Sequence, residues 1–223
     1  MLLGFLTAAL LLLTAAKFVT RRLPWRGLDA FAMRIHPYAG AAAIVLAVVH
    51  GISTFGVLPQ RPIAMGVVGI VMAASLLVAA LSRFLARRMG RRWLTAHRVA
   101  SVVACVCLVA HIVLGVTSFG AYQRTVAALA PRDIPVSQVA DGTYEGECDA
   151  GYIYAKVRVT VDAGEITNID LLEHRNERGS AAERIPQDVM AAQSLDVDAV
   201  SGATNSSRVI KEAIADALEK GIH

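Results

Sequence analysis

Four histidines, His36, His50, His97 and His111, fall in the apolar half of the chain as two pairs, each pair fourteen residues apart. On an α-helix fourteen residues advance about 1400° and rise about 21 Å, so both members of a pair share one helix face. Ionisable groups inside apolar spans are costly to keep and mark functional sites. Two helices ruled alike would set imidazoles opposite one another near each side of a bilayer. Two neutral imidazoles on opposite faces of a porphyrin complete a six-coordinate iron suited to electron transfer, because no position is left open for substrate. The spacing therefore predicts two b-type haems, one held by His36 and His97, the other by His50 and His111.

Four residues after these histidines stand Gly40, Thr54, Ser101 and Gly115, all small enough to clear the same face for a macrocycle edge. Centres about 21 Å apart exclude one zinc or copper ion shared by all four histidines. For any one of them, a hydrogen bond to a neighbouring carbonyl is the plainer alternative. His36 precedes Pro37, a position biased away from the α region, which predicts a helix start or a kink there.

A second constellation is Asp198-Ala199-Val200-Ser201-Gly202-Ala203-Thr204, followed by Asn205-Ser206-Ser207 and a helical pattern. Backbone N–H groups and the dipole at a helix N-terminus favour an anion such as phosphate. Gly202 would let the backbone approach a ligand closely. An ordinary N-cap explains the same hydroxyl cluster equally well.

These residues need elements to carry them. Apolar runs at roughly 2–20, 37–58, 63–82 and 97–121 each approach the roughly 20 residues that cross a bilayer as a helix. A signal peptide carries its positive charge before the apolar run. Here Lys17, Arg21, Arg22 and Arg26 come after the first run, which predicts an uncleaved span. By the positive-inside rule the 17–34 and 83–98 segments are cytoplasmic, and everything after Tyr122 is extracytoplasmic.

Charge divides the chain in the same place. Residues 1–124 carry thirteen Lys/Arg and one acid, Asp29, whereas residues 125–223 carry nine bases and seventeen acids. The net charges, 13 − 1 = +12 and 9 − 17 = −8, make the overall +4 a poor argument for nucleic-acid binding. The expected organisation is a transmembrane domain over 1–122, a linker over 123–140 broken by Pro131 and Pro135, and an extracytoplasmic domain over 141–223. In that last domain, Val157, Val159 and Val161 alternate on one strand, and Asp162-Ala163-Gly164-Glu165 is a hairpin turn. A second strand covers about 166–172, and helical patterns cover 181–194 and 207–220. The fold class is thus a membrane protein, a four-helix bundle followed by a small α+β domain.

Cys105 and Cys107 point about 200° apart on a helix and cannot form one ligand pair. They and Cys148 are read as structural. His174 is read as an exposed strand-end histidine.

The H-x13-H pattern on two helices resembles the ferric reductase-like transmembrane cytochromes, over roughly residues 30–120. The chain departs from their larger members in having four spans rather than six, and no Gly-rich dinucleotide loop follows a strand. D-x-x-S-G-A-T is similar to the flavinylation motif of the FMN-binding domain family, which includes flavin-carrying components of the sodium-translocating NADH:quinone reductase and of the Rnf complex. Further similarity runs back through Asp141-Gly142-Thr143-Tyr144-Glu145-Gly146 and Gly151-Tyr152. The resemblance implies FMN joined through its phosphate to the hydroxyl of Thr204 by a flavin transferase, outside the cytoplasmic membrane. It implies that Ser201, Gly202 and Ala203 shape the loop and that Asp198 positions a metal or the phosphate. Tyr144 and Tyr152 are candidates to pack near the isoalloxazine, with core packing as the alternative.

The combined expectation is an oxidoreductase, or its electron-transfer subunit, in the cytoplasmic membrane. Two haems b would pass electrons to covalent FMN and on to an extracytoplasmic acceptor or partner. Membrane lipid, a flavin transferase and an electron donor are its other partners. A redox-sensing or assembly subunit and a terminal flavin reductase are the alternatives.

Overall fold

A computed structural model describes residues 2–176 and 178–222. The chain divides into two compact units, Met1–Thr117 and Ser118–His223.

The first unit is helical. α1 (Leu2–Ala15) is followed by the short α2 (Lys17–Thr20), and α3 (Arg26–Thr54) runs on through a 3-10 turn to Gln60. α4 (Ile63–Phe84), the short α5 (Ala86–Met89) and α6 (Arg92–Ala128) complete the set. Among the described residues, four helical stretches, Leu2–Thr20, Arg26–Gln60, Ile63–Phe84 and Arg92–Ala128, are long and apolar enough to cross a membrane. Their shared interior is narrow: Leu11, Ala43 and Leu108 are buried together, with Met72 and Leu76 packed against them. Most large side chains point outward instead, Ile52, Phe55, Ile63 and Phe84 among them. A surface so broadly apolar needs an apolar medium or partner around it.

α3 differs from expectation. It starts at Arg26, with Asp29 in its first turn, where a carboxylate complements the helix dipole. Asp29 also ties back to α2, accepting bonds from Lys17 and from Thr20 Oγ1 at 3.0 Å. Consequently Pro37 lies well inside the helix, and His36 marks no helix start. Proline has no N–H to offer the carbonyl one turn earlier, a loss that apolar spans tolerate.

The second unit holds a three-stranded antiparallel sheet in the order β1 (Gly142–Asp149), β2 (Tyr154–Asp162), β3 (Glu165–Arg175). β1 has no counterpart among the expected strands. The β2–β3 turn is tight: Ala163 and Gly164 both take positive φ, 53° and 77°, the geometry of a primed hairpin turn. Ala155, Val157, Val159 and Val161 form a fully buried stripe of β2. Packed against it in one core are Val209, Ile210, Ala213, Ala217 and Leu218 of α8 (Thr204–Glu219). The shorter α7 (Ile185–Ala192) packs on β3, where Gln193 acts as an extra strand residue. Its Oε1 accepts from Ile166 N at 2.7 Å, and its Nε2 donates to Ile166 O at 2.9 Å.

The end of α6 belongs to this second core. Val126 is fully buried there, together with Tyr122, Ile134 and Val136. Helix therefore extends six residues into the stretch expected as linker, and Pro131 and Pro135 fall after its end at Ala128. Burial of Tyr122 and Val126 stabilises those turns where a solvated linker would fray.

Candidate functional site

Thr204 is the first residue of α8, and Ala203 stands at the N-cap with no side-chain capping bond. The threonine is therefore no N-cap, and its side chain is exposed. The loop before it is clamped to the helix it precedes. Ser207 Oγ accepts from Val200 N at 3.0 Å and donates to Ala203 O at 3.0 Å. Lys211 Nζ donates to Val197 O at 2.8 Å. Gly202 has a φ of 77°, a left-handed turn that favours glycine.

A cleft of about 400 Å³ opens beside Thr204. On one side Gly202, Ala203, Asn205 and Ser206 line it; Phe119, Tyr122 and Tyr152 supply aromatic surface, and Arg178 supplies a cation. The three rings pack on one another. Tyr122 and Tyr152 stack with centroids 5.0 Å apart at 24°, and Phe119 lies 5.8 Å from Tyr122 and 6.3 Å from Tyr152. Asn205 Nδ2 donates to the Tyr122 phenol at 2.9 Å, and the Tyr152 phenol bonds Ser118 Oγ.

Of the residues named from sequence, Thr204, Gly202, Ala203 and Tyr152 come together here. Asp198 and Ser201 are exposed in the preceding loop, outside the cleft wall. Tyr144 lies elsewhere: its phenol donates to Ala140 O at 2.9 Å, and its ring packs beside Gly142 and Gly221. Tyr144 faces the side of β1 near the chain's last residues, so the similarity in sequence around it does not bring it to Thr204.

His174 corrects the expectation of an exposed strand end. Its side chain is only 3% exposed, with Nδ1 3.1 Å from Glu183 Oε1 and 3.1 Å from Asn176 Nδ2. The 3-10 turn at Ser180–Arg184 covers the end of β3, a long-range contact that strand periodicity cannot show. Asn176 Oδ1 then accepts from Gly179 N at 2.9 Å. Gly179 sits so near Ser206 that a Cβ there would stand 1.9 Å from the serine Oγ. Ser206 Oγ is buried and, among the described residues, has no hydrogen-bond partner.

In the helical unit, the rings of His36 and His97 have centroids 6.0 Å apart at 69°. The contact is T-shaped, and at a metal–nitrogen bond of about 2.0 Å the same two residues would be the ones to hold an ion between them. His97 Nδ1 lies 2.9 Å from Ala79 O. Since a carbonyl only accepts, that nitrogen is the donor, and Nε2 is left out of this bond. The other two rings rest against glycines. A Cβ at Gly4 would lie 3.3 Å from His50 Cε1, and one at Gly69 would lie 3.6 Å from His111 Cε1. Among the described residues no three His, Cys, Asp or Glu side chains gather as a metal cage.

The cysteines are free and half-buried. Burial, reinforced by Glu212, Asp149 and Asp216, pushes the Cys148 thiol up to about 11.

Residues 151–219 match the FMN-binding domain family. The matched stretch of this FMN-binding domain begins after β1 and takes in Tyr152, Arg178 and the whole Thr204 loop. An uncharacterized protein of Treponema pallidum (strain Nichols) is 31% identical over 140 residues, which is 61% of this chain and 38% of that protein. The chain thus spans well under half the length of that relative.

Proposed function

We propose that this chain is a membrane electron conduit, with FMN esterified to Thr204 as its extracytoplasmic terminus. The observation that carries the reading is the state of Thr204. Its hydroxyl is surface-exposed and free of capping duty at a helix N-terminus, inside an FMN-binding domain and beside an aromatic cleft. Helix N–H groups stabilise a phosphate there, and Arg178 adds charge. Ser207 and Lys211 hold the loop that leads into Thr204.

In the helical unit, His36 with His97 and His50 with His111 are proposed as axial ligands of two b haems. The 6.0 Å ring separation supports the first pair. The protonated Nδ1 of His97 fixes that ligand's tautomer, and Gly4 and Gly69 leave room for the rings of His50 and His111. When bound, haem and flavin supply the electron carriers; the protein contributes ligation, spacing and insulation from water. Basic residues flanking the helices support an orientation with the 83–98 segment inside and the FMN-binding domain outside.

The test uses full-length chain co-expressed with a flavin transferase. Flavin fluorescence should migrate with the denatured polypeptide and vanish in Thr204→Ala. Steady-state reduction of an external acceptor should be lost in the same variant; undiminished flux there would rule out the conduit.

A further inference from the structure

The cleft beside Thr204 is built partly by residues outside the matched domain. Phe119, Tyr122 and Gln123 belong to α6, the helix that also carries His97 and His111, and they precede residues 151–219 by about thirty positions. The rings differ in what they offer a ligand. Tyr122 and Tyr152 are 9% and 7% exposed, whereas Phe119 is 37% exposed. The tyrosines are fixed from behind, by Asn205 and Ser118, and by stacking on each other. Phe119 leans on both and presents the open aromatic surface of the cleft.

We infer that the end of α6 is part of the flavin seat, with the isoalloxazine of the FMN on Thr204 packing against Phe119. This rests on the reading of Thr204 as the attachment point. A planar, polarisable ring system gains most from an aromatic surface that is already rigid, because no side chain has to be ordered on contact. The tyrosine pair supplies that rigidity. Asn205 links the wall directly to the residue next to the tether. Phe119 is thereby a positioning residue for the flavin ring; the phosphate and the ester bond do not depend on it.

The experiment reads flavin emission per covalent flavin in purified, full-length protein. An indole in van der Waals contact with a flavin quenches it by electron transfer, and the effect fades within a few bond lengths. Phe119→Trp should therefore lower emission several-fold while in-gel flavin content stays at the wild-type level. Phe119→Ser should leave the flavin attached but more open to quenching by iodide. Unchanged emission and unchanged iodide access in the flavinylated variants would overturn the inference. Should Phe119→Trp yield no flavinylated protein, Phe119→Tyr decides by the same criterion, since a phenol also quenches on contact. A wild-type chain without covalent flavin would sink the Thr204 reading instead, a different result from a flavin that ignores position 119.

Discussion

Asn205 donates its side-chain amide to the phenol oxygen of Tyr122 at 2.9 Å, across 83 positions of sequence. This bond joins the first turn of α8 to the last turns of α6 at the rim of the cleft. Removing it in Tyr122→Phe costs about 1 kcal/mol, typical of a part-buried hydrogen bond. A fall of a few degrees in Tm, with flavin attachment intact, is the expected outcome.

Close approach sets a harsher limit at Gly146. A Cβ there would stand 2.2 Å from Ala213 O and 2.4 Å from Ala217 N, both backbone atoms of α8. Because neither can swing aside, Gly146→Ala must push the helix off the sheet. We expect a loss of about 3 kcal/mol, the upper part of the range for overpacked cores. Chemical denaturation of the purified chain would measure it; a change below experimental error would mean the α8–β1 contact is looser than described.

Cys148 carries a pH signature. Its folded value is raised from 9.0 to about 11, first by burial and then by the acids around it. A group raised on folding contributes its full stability below the unfolded value, and that stability is lost as pH climbs through the folded one. The window is therefore about 9 to about 11. In a Cys105→Ser/Cys107→Ser background, alkylation at pH 8 should be slower than for an unhindered thiol, because the reactive thiolate is scarce. Fast labelling at pH 8 would contradict the burial of this side chain.

The proposed haem ligands predict a stoichiometry. Wild-type chain should give two b haems in a pyridine haemochrome assay, and His111→Ala one. His97→Ala should likewise remove one and leave Thr204 flavinylated, since the two sites lie in separate units. A preparation with no haem from a host able to supply it would refute the pairing.

Much of this protein is written in its local chemistry. Apolar runs with flanking arginines specify helices long enough for a membrane, because every backbone group in such a span must bond within its own helix. The Asp198–Thr204 stretch names its own turn and helix start, since Gly202 takes a conformation few other residues tolerate. The valines of β2 declare their buried face by simple alternation. Where the sequence reading departs from the fold, a long-range contact is responsible. His174 is buried because a later turn covers it, and Tyr144 turns toward Ala140 and away from Thr204. Pro37 sits inside a helix that begins ten residues before His36, a start that only the surrounding chain supports. Above all, the aromatic wall joins Phe119 and Tyr122 to a loop more than eighty positions later. No periodicity or motif encodes that meeting. It exists because the end of α6 finds its buried surface in the second core, which local sequence pattern cannot locate.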